Sequence, residues 1–240
     1  AKSPVSSPEK PTPSGTVIRP LTLPIDSLWP VYVSHVTSTS EVWVRLLEDE
    51  YNEKYFLLSQ QLSQFYSKVT IPAATVEIQN YYAIKVNDEA QRVRVEAFDP
   101  HNGDAEVFFI DTGDVDVVSC EKLFALDTAF SQLPPQAIRV CLSTLEEIAV
   151  CDTTTEIAEK LLLDKTFYLQ VFNRSEDETS HVVIGIFYDT EGEIDVNVNE
   201  KISLELQQIM EFSQPDVQFT VRGRVLEVFV SHIDNEVYLQ

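Results

Sequence analysis

Val107-Phe-Phe-Ile-Asp-Thr-Gly-Asp114 is the stretch whose reading decides the fold. Val107 to Ile110 are β-branched or aromatic residues, which suit a pleated surface. Phe108 and Phe109 face opposite sides of such a strand, so one of them points inward. Thr112-Gly113-Asp114 supplies turn chemistry, and Val115–Val118 reads as the returning strand. Upstream, Tyr81–Val86 and Arg92–Phe98 have the same character, divided by Asn87-Asp88 and by His101-Asn102-Gly103-Asp104. Val93, Val95 and Ala97 alternate with Arg92, Arg94 and Glu96, which predicts one buried and one wet face. Four short strands with tight turns predict a small barrel, the arrangement that removes exposed sheet edges.

On the N-terminal side, Tyr55, Leu58, Leu62 and Phe65 recur at helical spacing, so Glu53–Tyr66 reads as a helix with one buried stripe. Before it, Val31, Val33 and His35 mark one strand and Val42 and Val44 another, with Thr37–Ser40 as their turn. On the C-terminal side, Pro134-Pro135 breaks the pattern, and a strand at Ala137–Leu142 follows. Thr153–Asp164 reads as a helix with Thr153 and Glu156 in a capping-box pattern and Ile157 and Leu161 on one face. Strands are predicted at Phe167–Phe172, Val182–Tyr188 and Ile194–Val198. Ile202, Leu206 and Ile209 mark a last helix, which should stop before Pro215.

The ends differ in character. Residues 1–20 are rich in Pro and Ser and read as a flexible linker, with ordered structure starting near Leu21. At the other end Val228-Phe-Val-Ser-His-Ile233 repeats Val31-Tyr-Val-Ser-His-Val36, and Glu236-Val-Tyr-Leu-Gln240 repeats Glu41-Val-Trp-Val-Arg45. A hairpin that recurs in this way predicts a piece of a tandem array, with 216–240 beginning a following repeat. The first residue is not Met, which agrees with a fragment of something longer.

The 240 residues carry a formal charge of −22; residues 1–20 hold +2, so the rest holds −24. Such a surface repels nucleic-acid backbone and attracts basic partners. Arg92, Arg94 and Arg139 are the candidates for a basic stripe, should a nucleic acid bind. Three cysteines (Cys120, Cys141, Cys151) and four scattered histidines suit a reducing compartment and show no zinc-ligand spacing. No metal or other cofactor is expected, no apolar run spans a membrane, and no nuclease or hydrolase motif occurs.

The stretch at Val107–Asp114 resembles the central signature of Tudor domains. Leu123-Phe124, Leu126, Phe130, Leu133-Pro134, Gln136-Ala137-Ile138 and Cys141-Leu142 resemble the segment after the barrel in extended Tudor domains. The resemblance implies a mainly β fold with helices, in which a Tudor (SH3-like) barrel at 71–136 is inserted in a staphylococcal-nuclease-like OB barrel at 21–70 and 137–215. It also implies a scaffold module, not an enzyme, that binds dimethylated arginine in the tails of Piwi-type proteins. Its setting would be cytoplasmic RNA–protein granules of germ cells, with other granule proteins as partners and no membrane. By alignment the cage positions fall at Val86, Gln91, Phe109, Thr112 and Asp114. Only Phe109 is aromatic, so most of the cation–π attraction for a methylated guanidinium is missing. Asp114 adds a negative charge that favours unmethylated Arg or Lys. The expectation is therefore a degenerate cage that takes basic, Arg-rich protein segments. The alternatives are a working methylarginine reader using Phe98, Tyr81 or Tyr82, and, from the OB half, a single-stranded nucleic-acid binder or nuclease.

Overall fold

In the computed structural model the described residues are 17–146, 148, 150–176 and 181–213, together with strands at 218–221, 224–227, 230–233 and 237–239. The chain divides into two units, Ala1–Ile202 and Ser203–Gln240.

The first unit opens with the hairpin β1 (Leu28–Ser38) and β2 (Glu41–Leu46), followed by α1 (Asp49–Tyr66). Then come β3 (Tyr81–Val86), β4 (Glu89–Asp99), β5 (Asp104–Phe109), β6 (Val115–Ser119) and β7 (Leu123–Ala125). They form a five-stranded sheet in the order β6-β5-β4-β3-β7. Its inner face is Tyr82, Ile84, Val93, Val95, Val107, Phe109 and Leu123, all buried. Asn87 and Asp88 both take positive φ (50° and 67°), as a two-residue β3–β4 turn requires.

The rest of the unit comprises β8 (Ile138–Leu142), α2 (Asp152–Leu162), β9 (Thr166–Glu176), β10 (His181–Asp189), β11 (Val196–Asn197) and the start of α3 (Val198–Ser213). Here β1, β2, β8, β10 and β9 pair in a closed ring, and β11 adds to β10. All of these pairings are antiparallel except β8–β10. Val31, Val33, Val42, Val44, Val140, Leu142, Leu169, Val183 and Phe187 fill the ring at 0% exposure. The smaller barrel is thus inserted between β2 and β8 of the larger, as the Tudor and OB halves were expected to be.

Several sequence expectations are corrected. The helix α1 starts at Asp49, and its buried stripe is Leu58, Leu62 and Tyr66; Phe65 is exposed at 44%. The i, i+4 spacing selects Tyr66, whose hydroxyl donates to Ala125 O (2.7 Å) and accepts from Asp127 N (3.0 Å). Strand β7 was not predicted; three residues carry too little pattern. The face of β4 expected to be wet contains Arg92 at 1% exposure, while Ala97 is exposed because a bulge between Val95 and Ala97 shifts the register. The capping residues of α2 are Cys151 and Thr154, in place of Thr153 and Glu156. Only Val196–Asn197 of the expected strand Ile194–Val198 is extended, because Val198 already begins α3. There Asn199 accepts from Phe187 N and donates to Ser143 O and Gly185 O, which draws the chain inward. Of the expected linker, residues 1–16 lie outside the described residues, and Ile18 packs with Leu58 and Leu62.

In the second unit, β12 (Gln218–Val221) pairs with β13 (Arg224–Glu227), and β14 (Val230–Ile233) with β15 (Val237–Leu239). The β14–β15 register repeats that of β1–β2. Val33↔Val44, His35↔Trp43 and Val36↔Val42 correspond to Val230↔Leu239, His232↔Tyr238 and Ile233↔Val237. Both hairpins shift register at the serine, between Val33 and His35 and between Val230 and His232. The sequence repeat is therefore also a repeat of backbone geometry.

Candidate functional site

The loop Asp111–Asp114 connects β5 to β6 of the inserted barrel and packs on the β1–β2 hairpin of the larger one. Gly113 has φ +92°, and a Cβ built there would lie 2.1 Å from Cγ of Trp43, so only glycine allows this approach. Ser34 Oγ donates to Thr112 O (2.8 Å), and His35 Nδ1 meets Asp114 Oδ1 at 2.7 Å. The Trp43 and Phe108 rings pack at 5.0 Å with their planes tilted by 54°, and Arg94 lies over the Phe108 ring. The hydrogen bond to Asp114 is the largest influence raising the His35 pKa, and the same contact lowers that of Asp114.

Behind the loop, Arg92 is buried and fully bonded. Its Nε and Nη2 donate to the two Asp111 oxygens at 2.8 and 2.6 Å, and its remaining N–H groups reach the carbonyls of Phe130, Leu133 and Pro134. Asp111 also accepts from Gln136 N at 3.1 Å. This network fixes the loop to the segment that returns to the larger barrel. It also takes Arg92 out of the candidates for a basic stripe, since its N–H groups are spent inside, and Arg94 pairs with Glu96 at 2.5 Å.

A cleft of about 290 Å³ opens beside this network, between β1–β2, α1 and the inserted barrel. Of the aligned cage positions, Gln91, Phe109 and Thr112 line it; Val86 and Asp114 do not. Val86 packs at the edge of the inserted barrel's core, and Asp114 is turned to His35. Phe109 is 7% exposed and belongs to that core as well as to the cleft wall. The three alternative aromatics are not brought together. Tyr82 is buried inside the barrel, Tyr81 packs on its opposite face, and Phe98 lies beyond the bulge at 37% exposure.

Other residues complete the cleft. Tyr32 (β1), Arg45 (β2), Tyr55 (α1), Glu89 (β4) and Asp164 line it together with Asp111. The Arg45 guanidinium carbon lies 4.0 Å from the Tyr55 ring centroid and 5.2 Å from that of Tyr32. Tyr32 donates to Asp164 Oδ1 at 2.8 Å. Burial first, and then that hydrogen bond, pushes the Tyr32 phenol up; burial does the same for Tyr55. Sequence reading missed this set. Tyr32 and Arg45 are cross-strand partners, which the hairpin register alone could have revealed. Asp164 arrives from the turn between α2 and β9, 132 residues after Tyr32, and left no local signal.

The Tudor domain family profile matches residues 23–144, just over half of the chain. Tudor domain-containing protein 7 of Bos taurus is 26% identical over 184 residues, covering 76% of this chain and 16% of that protein. Tudor domain-containing protein 7A of Danio rerio is 26% identical over 199 residues, covering 82% and 18%. The chain therefore spans less than a fifth of these curated relatives. Among solved structures, the extended Tudor domain TD3 of mouse TDRD1, in complex with a dimethylarginine-containing MILI peptide, aligns with a TM-score of 0.69 at 18% identity. That alignment covers 79% of this chain and 96% of that one. The Drosophila melanogaster Papi extended Tudor domain, bound to a dimethylated Piwi N-terminal peptide, aligns at 0.67 and 18%, covering 75% and 97%.

Proposed function

Because this chain belongs to the Tudor domain family and has the extended Tudor fold, we propose that it is a non-catalytic binding module. In this reading it takes basic, arginine-containing protein segments in the cleft between its two barrels. The observation that supports this is the cleft itself. It is lined by Tyr32, Tyr55 and Phe109, carries the carboxylates of Glu89 and Asp164, and belongs to a chain of charge −22. Such a site attracts cations over distance and holds them by ring faces and carboxylates. Selectivity for methylated arginine is weak, because Val86, Gln91 and Thr112 offer no ring and Asp114 is engaged by His35. The mouse and fly domains with this fold bind Piwi-type peptides, so Piwi-type tails and other granule proteins are the natural candidates. The corresponding setting is the cytoplasmic RNA–protein granules of germ cells and the piRNA pathway. On the same reading 71–136 is the inserted barrel, 21–70 and 137–215 its host, and 216–240 the start of a following repeat.

Calorimetric titration with an Arg-rich peptide, unmethylated and symmetrically dimethylated, tests this. Salt-sensitive binding with no more than about a threefold preference between the two is expected. Strong selectivity for the dimethylated peptide, lost in Phe109→Leu, would establish a methylarginine reader instead. Absence of binding to either would remove the cleft reading.

A further inference from the structure

We propose that the rings of Tyr32 and Tyr55 form a guanidinium site in the cleft, and that Arg45 of the same chain fills it as a built-in competitor of a peptide arginine. The inference rests on reading the cleft as a site for arginine-containing segments. Two ring faces, at 4.0 and 5.2 Å from the Arg45 guanidinium carbon, already hold a guanidinium, so the space has the required shape. The rings do not depend on Arg45 for their positions. Tyr32 is tied to Asp164, whose backbone N–H donates to Val33 O while Val33 N donates to Lys165 O. Tyr55 stands on α1 one turn before the buried Leu58, in a helix anchored by Leu62 and Tyr66.

The resident is loosely held. Among the described residues the Arg45 side chain makes no hydrogen bond and has no carboxylate within 4.0 Å. Arg92, which lines the same cleft, uses every N–H it has. An arginine retained by ring contact alone can swing out into water at little cost, because water restores its hydrogen bonds. A peptide arginine entering from the open side gains the same rings with Asp164 and Glu89 beside them. Arg45 thereby sets a threshold: a lone arginine does not displace it, whereas a segment that adds contacts to Gln91, Ser59 and Thr112 does.

Chemical complementation tests the site without any peptide. In Arg45→Ala, ethylguanidinium at millimolar concentration should raise the melting temperature and shift the Tyr55 ring resonances saturably. The wild type and the double variant Arg45→Ala/Tyr55→Leu should show neither effect, and urea should not substitute. Arg45→Ala should also bind an Arg-rich peptide about three- to tenfold more tightly, against less change in Lys122→Gln, which removes an equal charge elsewhere. If ethylguanidinium acts alike on all three proteins, the proposal is overturned. If Arg45→Ala takes ethylguanidinium but no variant binds the peptide, the guanidinium site stands and the peptide reading of the cleft falls.

Discussion

Arg92 and Asp111 form a buried two-point ion pair, with N–O distances of 2.6 and 2.8 Å, at the root of the β5–β6 loop that packs on the larger barrel. The pair adds order more than net stability, since desolvating two charges offsets much of their attraction. Breaking it from one side is different. Asp111→Ala leaves a guanidinium at 1% exposure without its counter-ion, and a loss of about 3–5 kcal/mol is expected in urea denaturation. Arg92→Lys cannot reproduce the fork that serves Asp111 and three carbonyls, and should fall in the same range.

The His35–Asp114 contact makes the junction of the barrels pH-dependent. The folded state raises the His35 pKa, so its contribution is fully present below the ordinary value of about 6.5 and is lost as pH rises through the raised one. Asp114 is lowered, so its share is present above its ordinary value and lost as pH falls through the depressed one. Glu159 and Glu41 support the protonated histidine. His35→Asn should therefore destabilise most near about pH 5.5 and hardly at all near about pH 9. With the side chains 31% and 45% exposed, the effect stays below about 1 kcal/mol. Thermal melts of both proteins across this range measure it; an equal loss at both ends would exclude the ion pair as its cause.

Gly113→Ala combines a strained φ of +92° with an overlap on the Trp43 ring. About 2–4 kcal/mol of destabilisation is expected from the two effects together. Trp43 fluorescence should shift with it, because relief of the overlap moves the indole. A neutral Gly113→Ala with unchanged fluorescence would contradict the contact.

Asn199→Ala removes one acceptor and two donor bonds that join α3 to β10 and to Ser143. Leaving these backbone groups without partners should cost about 2–3 kcal/mol, measured by denaturant midpoint. Asn199→Asp keeps the acceptor toward Phe187 N and loses both donors, so it should not rescue.

Much of the architecture was legible because it rests on local pattern. Tyr81–Val86 was read to the residue, and Asn87-Asp88 was recognised from turn chemistry that the positive φ angles bear out. The misreadings share one cause: a distant residue changes what a local pattern means. Arg92 alternates like a solvated side chain, but Asp111 and three carbonyls, none of them sequence neighbours, receive it. Tyr66 outranks Phe65 because its hydroxyl has partners around β7, which was itself too short to be read. The aligned cage positions were identified one by one, while the cleft is shaped as much by Tyr32, Arg45 and Asp164 of the host barrel.

The insertion of one barrel between β2 and β8 of the other has a consequence for the order of folding. Val44 of β2 pairs with Ile138 of β8, so α1 and the whole inserted barrel form the loop that this pairing must close. As an unfolded chain, that loop carries a closure entropy that grows with its length. Once the inserted barrel is folded, its two ends are held near each other by the β3–β7 pairing and by the packing of Phe65 and Tyr66 on Phe130, and most of that entropy has already been lost. The cheaper route is for the guest to fold first and template its host. Substitutions at Arg92 should then slow refolding of the host barrel of β1, β2, β8, β9 and β10, to which Arg92 itself does not belong.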